Sequence, residues 1–185
     1  MRAFADAYCA RPAAEIIARA ARVRLLALDA DGVLTDGTLY IGRYGEAMKP
    51  FHSHDGKGVK MVIAAGIEVA IVTSRHSVAL ARRARELGIR HLIQNAQDKR
   101  SALAALCASL GLATAECAYV GDDIVDLGAV RTAGLGIAVA SAHPYLAAAC
   151  HWQTQRPGGH GAVREVCELL LAARECLQDL LEQHG

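Results

Sequence analysis

Three observations predict an α/β fold, a doubly wound, Rossmann-like parallel sheet, for this 185-residue chain. Short, near-continuous apolar runs of strand length recur along it, as strands covered on both faces require. Segments with helical spacing separate those runs, and alternating strands and helices wind into a parallel sheet. The chemistry-bearing residues cluster just after the runs, where sheets of this kind bind their ligands.

Ala3–Ala21 is Ala-rich, with Arg and Glu at helical spacing, and is predicted to be a surface helix. Val23–Leu28 is the first buried strand. Thr38–Met48 alternates around Gly42 and Gly45 and carries two Tyr, so it reads as a β-hairpin inserted after that strand. A helix over Gly56–Ala65, a strand over Glu68–Val72, a helix over Ser77–Leu87 and a short strand over His91–Ile93 follow. Next come a helix over Asp98–Leu110, a strand over Cys117–Val120 and a helix over Ile124–Ala133. Strand Leu135–Ala140, a short helix after Pro144, strand His151–Thr154 and a long helix from Ala162 finish the order. The loop Arg156–Gly161, with one Pro and three Gly, is the segment predicted to be mobile. Residues 1–185 are expected to form a single domain, with 38–48 as the hairpin and 156–185 as a C-terminal loop and helix.

Composition narrows the function classes. Net charge is only +1, so no basic stripe marks a nucleic-acid surface. Although 53% of residues are hydrophobic, Asp, Glu, Arg or His interrupts every run short of the ~20 residues that span a membrane. The N-terminus lacks the pattern of a secretory signal. Six cysteines (Cys9, Cys107, Cys117, Cys150, Cys167 and Cys176) show no C-x-x-C spacing and read as buried free thiols. A cytoplasmic protein is expected.

Asp29-Ala30-Asp31-Gly32 places two carboxylates directly after the first apolar strand. Thr73 follows the second apolar run, Lys99 opens a helix, and Gly121-Asp122-Asp123-Ile124-Val125-Asp126 follows a third run. Cleaving a phosphate ester needs a nucleophile, a general acid for the leaving oxygen, and cations facing the equatorial oxygens. Asp29 suits the nucleophile and Asp31 the acid, which then serves as base for the attacking water. A magnesium ion prefers one or two carboxylates plus water and phosphate oxygens. Asp29 and Asp122 are its expected side-chain ligands, and Asp31 is expected to add its backbone carbonyl. Asp123 and Asp126 are expected to orient those ligands or hold metal-bound waters. Lys99 screens the nucleophile and binds the phosphoryl group; Thr73 donates a hydroxyl, with backbone N–H groups near Ser74. Lys57 and Lys60 read equally well as substrate contacts or as solvated surface. Ordinary alternatives exist for each motif residue: an Asp-Gly turn at a strand end, an Asp as helix N-cap, a core Thr and a solvated Lys.

The set Asp29-x-Asp31, Thr73, Lys99 and Gly121-Asp122-Asp123-x-x-Asp126 resembles the four motifs of the haloacid dehalogenase superfamily, mostly magnesium-dependent phosphatases. A tighter resemblance runs from Arg22 to Leu171, through Asp31-Gly32-Val33-Leu34-Thr35-Asp36-Gly37, Tyr119-Val120-Gly121-Asp122-Asp123, Ala140–Pro144 and Gly158-Gly159-x-Gly161-Ala162-Val163-Arg164-Glu165. These stretches are similar to the 3-deoxy-D-manno-octulosonate 8-phosphate (KDO 8-phosphate) phosphatases. The resemblance implies a haloacid dehalogenase-like fold and magnesium-dependent hydrolysis of KDO 8-phosphate on the way to lipopolysaccharide. It also implies substrate binding by Arg75, whose guanidinium suits a carboxylate or phosphate. Ser74 stands where the family often has Gly. His54 and His160 stand where relatives often carry Arg or another residue, and both are substrate-binding candidates together with Lys57.

Loop lengths point the same way. Only 41 residues separate Asp31 from Thr73, and 22 separate Lys99 from Asp122. Neither gap holds a cap domain of about 50 residues or more beside the elements already there. An uncapped site needs its lid from another molecule, so a homo-oligomer is expected. The resemblance implies a tetramer in which hairpin Thr38–Met48 packs between subunits and a neighbour closes the site. A nine-carbon 2-keto-3-deoxy sugar acid 9-phosphate is the rival substrate. A phospho-acceptor signalling domain uses similar residues, but its phosphorylated Asp comes later in the chain; a non-catalytic scaffold is disfavoured because every chemical residue is present.

Overall fold

In the computed structural model, residues 1, 3–4, 8 and 12–182 are described. Cys9 and part of the helix expected over Ala3–Ala21 lie outside them. Among the described residues Ala3, Phe4 and Tyr8 are helical but Pro12 and Ala13 are not, so the single expected helix is interrupted there, and α1 (Ala14–Ala21) follows, burying Ile16 and Ala20.

A six-stranded, all-parallel sheet is built from β1 (Leu25–Leu28), β4 (Glu68–Val72), β5 (His91–Ile93), β6 (Cys117–Gly121), β7 (Leu135–Ala138) and β8 (Trp152–Gln153). Its spatial order is β5-β4-β1-β6-β7-β8. Sheet strands thus run 3-2-1-4-5-6, the Rossmann order, and the chain reverses direction across the sheet between β1 and β6. The register there pairs Leu28 with Val120, so Asp29 and Asp122 emerge side by side at the carboxyl ends of the two central strands.

All four residues of β1 are buried, and they serve two cores by alternation. Leu26 and Leu28 face the layer made by α1, α2 (Ser53–Ala64), α3 (Val78–Leu87) and the C-terminal helices. Leu25 and Ala27 face the layer made by α4 (Lys99–Ser109) and α5 (Leu127–Thr132), with Leu103, Leu106 and Val130. This two-sided burial explains why the strands read as unbroken apolar runs.

Between β1 and β4, β2 (Tyr40–Gly42) and β3 (Gly45–Met48) pair antiparallel in a separate two-stranded sheet, the expected hairpin. The helix starts follow cap chemistry. Ser77 accepts the Leu80 N–H at the start of α3, and Asp98 accepts the Ser101 N–H at the start of α4.

Two expected helices are divided. Ile124–Asp126 is a 3-10 turn, with Asp123 capping it by accepting the Ile124 N–H, and only then does α5 begin. At the C-terminus the single long helix from Ala162 is two: α7 (Ala162–Ala173) and α8 (Leu177–Glu182), with the short α6 (Pro144–Ala147) before β8. The break has a local cause. Arg174 ends α7 with its guanidinium bound to the Ala65 and Val23 carbonyls, and Glu175 turns left-handed at φ 61°. A left-handed backbone costs an ordinary L residue roughly 1–2 kcal/mol. Glu175→Gly should therefore stabilise the protein by about 1 kcal/mol, raising the thermal midpoint by about 2–4 °C. An unchanged or lower midpoint in calorimetry would contradict that strain.

Candidate active site

Asp29 continues β1 by donating its N–H to the Val120 carbonyl at 3.0 Å, which locks its position to the neighbouring strand. Its carboxylate accepts the Ala30 N–H at 2.7 Å through Oδ1 and pairs with Lys99 Nζ at 2.7 Å through Oδ2. Lys99, buried at the first turn of α4, pairs also with Asp126 Oδ1 at 2.8 Å. Asp126 is completely buried. Its Oδ1 further accepts the Tyr119 hydroxyl at 2.7 Å, and its Oδ2 accepts the Asp122 and Asp123 N–H groups at 3.1 and 3.4 Å. Every oxygen of Asp126 is thus committed, and its work is to fix Lys99 and the Gly121–Asp123 loop.

One carboxylate oxygen from each of Asp29, Asp122 and Asp126 lies within 4.8 Å of the other two. Asp122 has no ion pair among the described residues. Gly32 allows this closeness: it sits at φ +80°, and a Cβ there would run into the Asp122 carboxylate.

Electrostatics follow from the crowding. Burial pushes the Asp122 carboxyl up to about 7, reinforced by the neighbouring charges of Asp29 and Asp126. Burial and Asp126 raise Asp29 to about 6 against the opposing pull of Lys99. Burial pulls Lys99 toward its neutral form, but its pairing with Asp29 and Asp126 wins and holds it above the ordinary lysine value. Burial, followed by the Asp126 charge, keeps the Tyr119 phenol protonated and therefore a donor. An unpaired carboxylate beside a second one, both resisting ionisation, is the chemistry expected of a divalent-cation site.

A cleft of about 230 Å³ opens over this cluster, lined by Asp29, Asp31, Thr73, Ser74, Arg75, Lys99, Asp122 and Asp123 among others. The structure therefore brings together eight residues that the sequence nominated from four separate segments. Thr73 is buried at the end of β4, its N–H bound to the Ile93 carbonyl and its own carbonyl accepting the Ala96 N–H. Asp123 is exposed and caps the turn that carries Asp126. Arg75 Nε lies 3.4 Å from Asp31 Oδ2.

Three nominated residues fall elsewhere. His54 lines a second cavity of about 270 Å³ with Tyr8, Arg156, Gly161, Arg164 and Glu168. The reason is Asp55, which turns inward to cap α7, accepting the Arg164 N–H at 2.8 Å and the Gly161 N–H at 3.3 Å. That interaction fixes the first turn of α2 and aims His54 at the second cavity; Lys57, on the same helix, is exposed. His160 is exposed too, its Nδ1 3.0 Å from the Gly158 carbonyl. Its loop packs against the back of the Asp31–Thr35 turn, where Gly159 donates to the Val33 carbonyl and a Cβ on Gly158 would strike the Gly32 carbonyl. That contact anchors a loop expected to be mobile.

Two residues at the site went unnominated. Tyr119 lies inside an apolar strand and reads as core, although a fully buried Tyr must find a partner for its hydroxyl. Lys49 of the hairpin forms an ion pair with Asp31 Oδ1 and lies 3.3 Å from Glu46 Oε2. A lysine next to an exposed, alternating hairpin strand carries no sequence signal of such a role.

A parallel sheet with acidic residues at its central switch point, facing a buried lysine, fits a haloacid dehalogenase-like hydrolase, the family whose model matches residues 91–165. The chain is 45% identical, over 92% of its length and 91% of the relative's, to the KDO 8-phosphate phosphatase of Yersinia pestis. The Moraxella catarrhalis KDO 8-phosphate phosphatase, solved with magnesium, phosphate and KDO, is similar at 41% identity and TM-score 0.92, over 94% of this chain and 100% of that one. The cobalt-bound Haemophilus influenzae enzyme is similar at 38% identity and TM-score 0.84, over 86% and 93% of the two chains. The chain belongs to the KDO 8-phosphate phosphatase family.

The raised carboxyls dictate a pH dependence. Asp29 and Asp122 hold protons in the cation-free folded protein to about pH 6 and 7, but in the unfolded chain only to about pH 4. The folded state thus binds more protons between those limits, so their contribution to stability falls as pH rises from 4 to 7. A divalent cation must displace the same protons. Magnesium affinity, measured by calorimetric titration, should climb from pH 5.5 to pH 7.5 and then level. A flat profile would contradict the raised carboxyls.

Proposed function

We propose that this chain is a magnesium-dependent phosphomonoesterase that hydrolyses KDO 8-phosphate to KDO and inorganic phosphate, toward lipopolysaccharide precursors. One observation carries the reading. The Asp29 carboxylate stands beside Lys99 and the unpaired Asp122, in a chain 41% identical to an enzyme solved with magnesium, phosphate and KDO together.

In this reading Asp29 attacks phosphorus with a carboxylate oxygen, forming an acyl phosphate as the bond to the sugar oxygen breaks. The electron pair leaves with that oxygen, which takes a proton from Asp31. Water then attacks phosphorus, passing a proton back to Asp31 and restoring Asp29. Lys99 balances the charge on the phosphoryl oxygens and keeps Asp29 aimed, with Asp126, itself fixed by the Tyr119 hydroxyl, holding Lys99 from behind. Thr73 and the backbone at Ser74 donate to the same oxygens. Magnesium, held by Asp29, Asp122 and the Asp31 carbonyl with Asp123 and Asp126 behind them, supplies charge neutralisation in the transition state. Arg75 suits the sugar-acid carboxylate or the phosphate.

We propose one catalytic domain over residues 1–185 and a homotetramer. The hairpin supports an interface: Tyr40, Ile41, Tyr44 and Met48 are all exposed, Tyr44 by 93%. His54, Lys57 and His160 do not line the acidic cleft of their own protomer, so a role in binding substrate requires the cleft of a neighbouring copy. The reading assigns the reaction to the cytoplasm, where phosphorylated sugar acids are made and used.

Phosphate release from KDO 8-phosphate, a nine-carbon keto-acid 9-phosphate and an aryl phosphate, with and without magnesium, tests the assignment. A large, magnesium-dependent preference for KDO 8-phosphate is expected; comparable slow release from all three would withdraw the substrate. Asp29→Asn should leave folding intact and lower turnover by at least about 10³-fold. A near wild-type rate would remove Asp29 as nucleophile.

A further inference from the structure

Asp31 is gripped from two sides by groups with no assigned part in its chemistry. On one side Lys49 forms an ion pair with Oδ1, and on the other Arg75 Nε faces Oδ2 at 3.4 Å. The two cations differ in their surroundings. The Arg75 side chain is 44% exposed and lines the cleft, whereas that of Lys49 is only 4% exposed and is not among the cleft-lining residues. A buried ammonium that does not reach the cleft is poorly placed to touch substrate.

Lys49 is itself held. Its Nζ lies 3.3 Å from Glu46 Oε2, from the hairpin strand β3, and Glu46 Oε1 accepts the Ser77 hydroxyl. Ser77 is the N-cap of α3: its oxygen accepts the Leu80 N–H at 3.1 Å while its N–H donates to Gln94 Oε1 at 2.6 Å. A continuous chain of polar contacts thus runs from the end of β5, through the start of α3 and the hairpin, to one oxygen of Asp31. A flexible lysine loses much rotamer freedom when pinned in this way. The arrangement fixes the rotamer of the carboxylate whose direction matters most for proton transfer.

We propose that Lys49 is a positioning residue for Asp31, held by Glu46 and Ser77, and that its ion pair with Oδ1 fixes the carboxylate so that Oδ2, the oxygen facing Arg75 on the cleft side, is the atom that gives and takes the proton. The inference rests on the functional reading above. Proton delivery to the leaving oxygen is the step most sensitive to it. As the phosphorus–oxygen bond breaks, the sugar alkoxide needs the proton from Oδ2, whereas a nitrophenolate leaves without one.

The test is kcat/KM, which covers the steps through leaving-group departure, for Lys49→Met and Lys49→Arg with KDO 8-phosphate and 4-nitrophenyl phosphate. Lys49→Met should lower kcat/KM for the sugar phosphate by about 10²-fold, and for the nitrophenyl ester by less than about threefold. It should act on kcat with little change in KM, and Lys49→Arg should recover most of the loss. An equal loss on both substrates would overturn the proposal in favour of a merely structural role. A raised KM with kcat unchanged would overturn it in favour of substrate binding. Should Lys49→Met fail to fold, Glu46→Gln decides: a smaller loss confined to the sugar phosphate supports the proposal, and an equal or absent loss overturns it. A wild-type enzyme that releases no phosphate from KDO 8-phosphate would sink the functional reading instead.

Discussion

The buried ammonium of Lys99, shared between Asp29 and Asp126, is the interaction on which the rest of this site depends. Three carboxylates drawn within 4.8 Å repel one another, and burial raises the cost of each charge. A single interior lysine makes that concentration tolerable. Tyr119 and two backbone amides complete the environment of Asp126, so its charge is fully used in holding Lys99 and the adjacent loop. Buried ion pairs of this kind add little net stability, because desolvation offsets their attraction. Their value here is geometric, since Asp29 and Asp122 remain turned toward the cleft.

Topology supplies the rest of the constraint. Parallel pairing of β1 with β6 sets Leu28 beside Val120, and the next turn of chain on each side carries the acidic residues. Because these are the strands at which the winding reverses, the helices that follow diverge to opposite faces and leave a crevice between them. α4 brings Lys99 into that crevice from one layer, and the hairpin brings Lys49 near Asp31 from outside the sheet. Asp29 is thereby fixed by the sheet itself. Asp31 is fixed instead by side chains from outside the sheet, Lys49 and Arg75.

The sequence revealed most of this arrangement because the central residues sit where two simple signals coincide. Unbroken apolar runs mark strands buried on both sides, and Asp29, Thr73 and Asp122 follow such runs directly. The same signals hid other features. Tyr119 occupies an apolar strand, so its polar task is masked by the company it keeps. Lys49 follows an exposed hairpin strand, where lysine ordinarily serves only to keep an edge soluble. His54 lines a different cavity of its own protomer because Asp55, beside it, turns inward to cap α7, a long-range contact that no local pattern announces. The break after α7 was invisible because nothing in the helical pattern announces that Arg174 will bond two distant carbonyls and that Glu175 will turn left-handed.

The central claim is that Asp29 carries the phosphoryl group, and trapping that group tests it most directly. In an Asp31→Asn enzyme turning over 4-nitrophenyl phosphate, whose leaving group needs no proton, the intermediate should form faster than it is hydrolysed, and borohydride added during turnover reduces an acyl phosphate to the corresponding alcohol. The account predicts homoserine at position 29, located by mass spectrometry of the digested protein. Homoserine at position 122, or none anywhere despite continuing turnover, would contradict it.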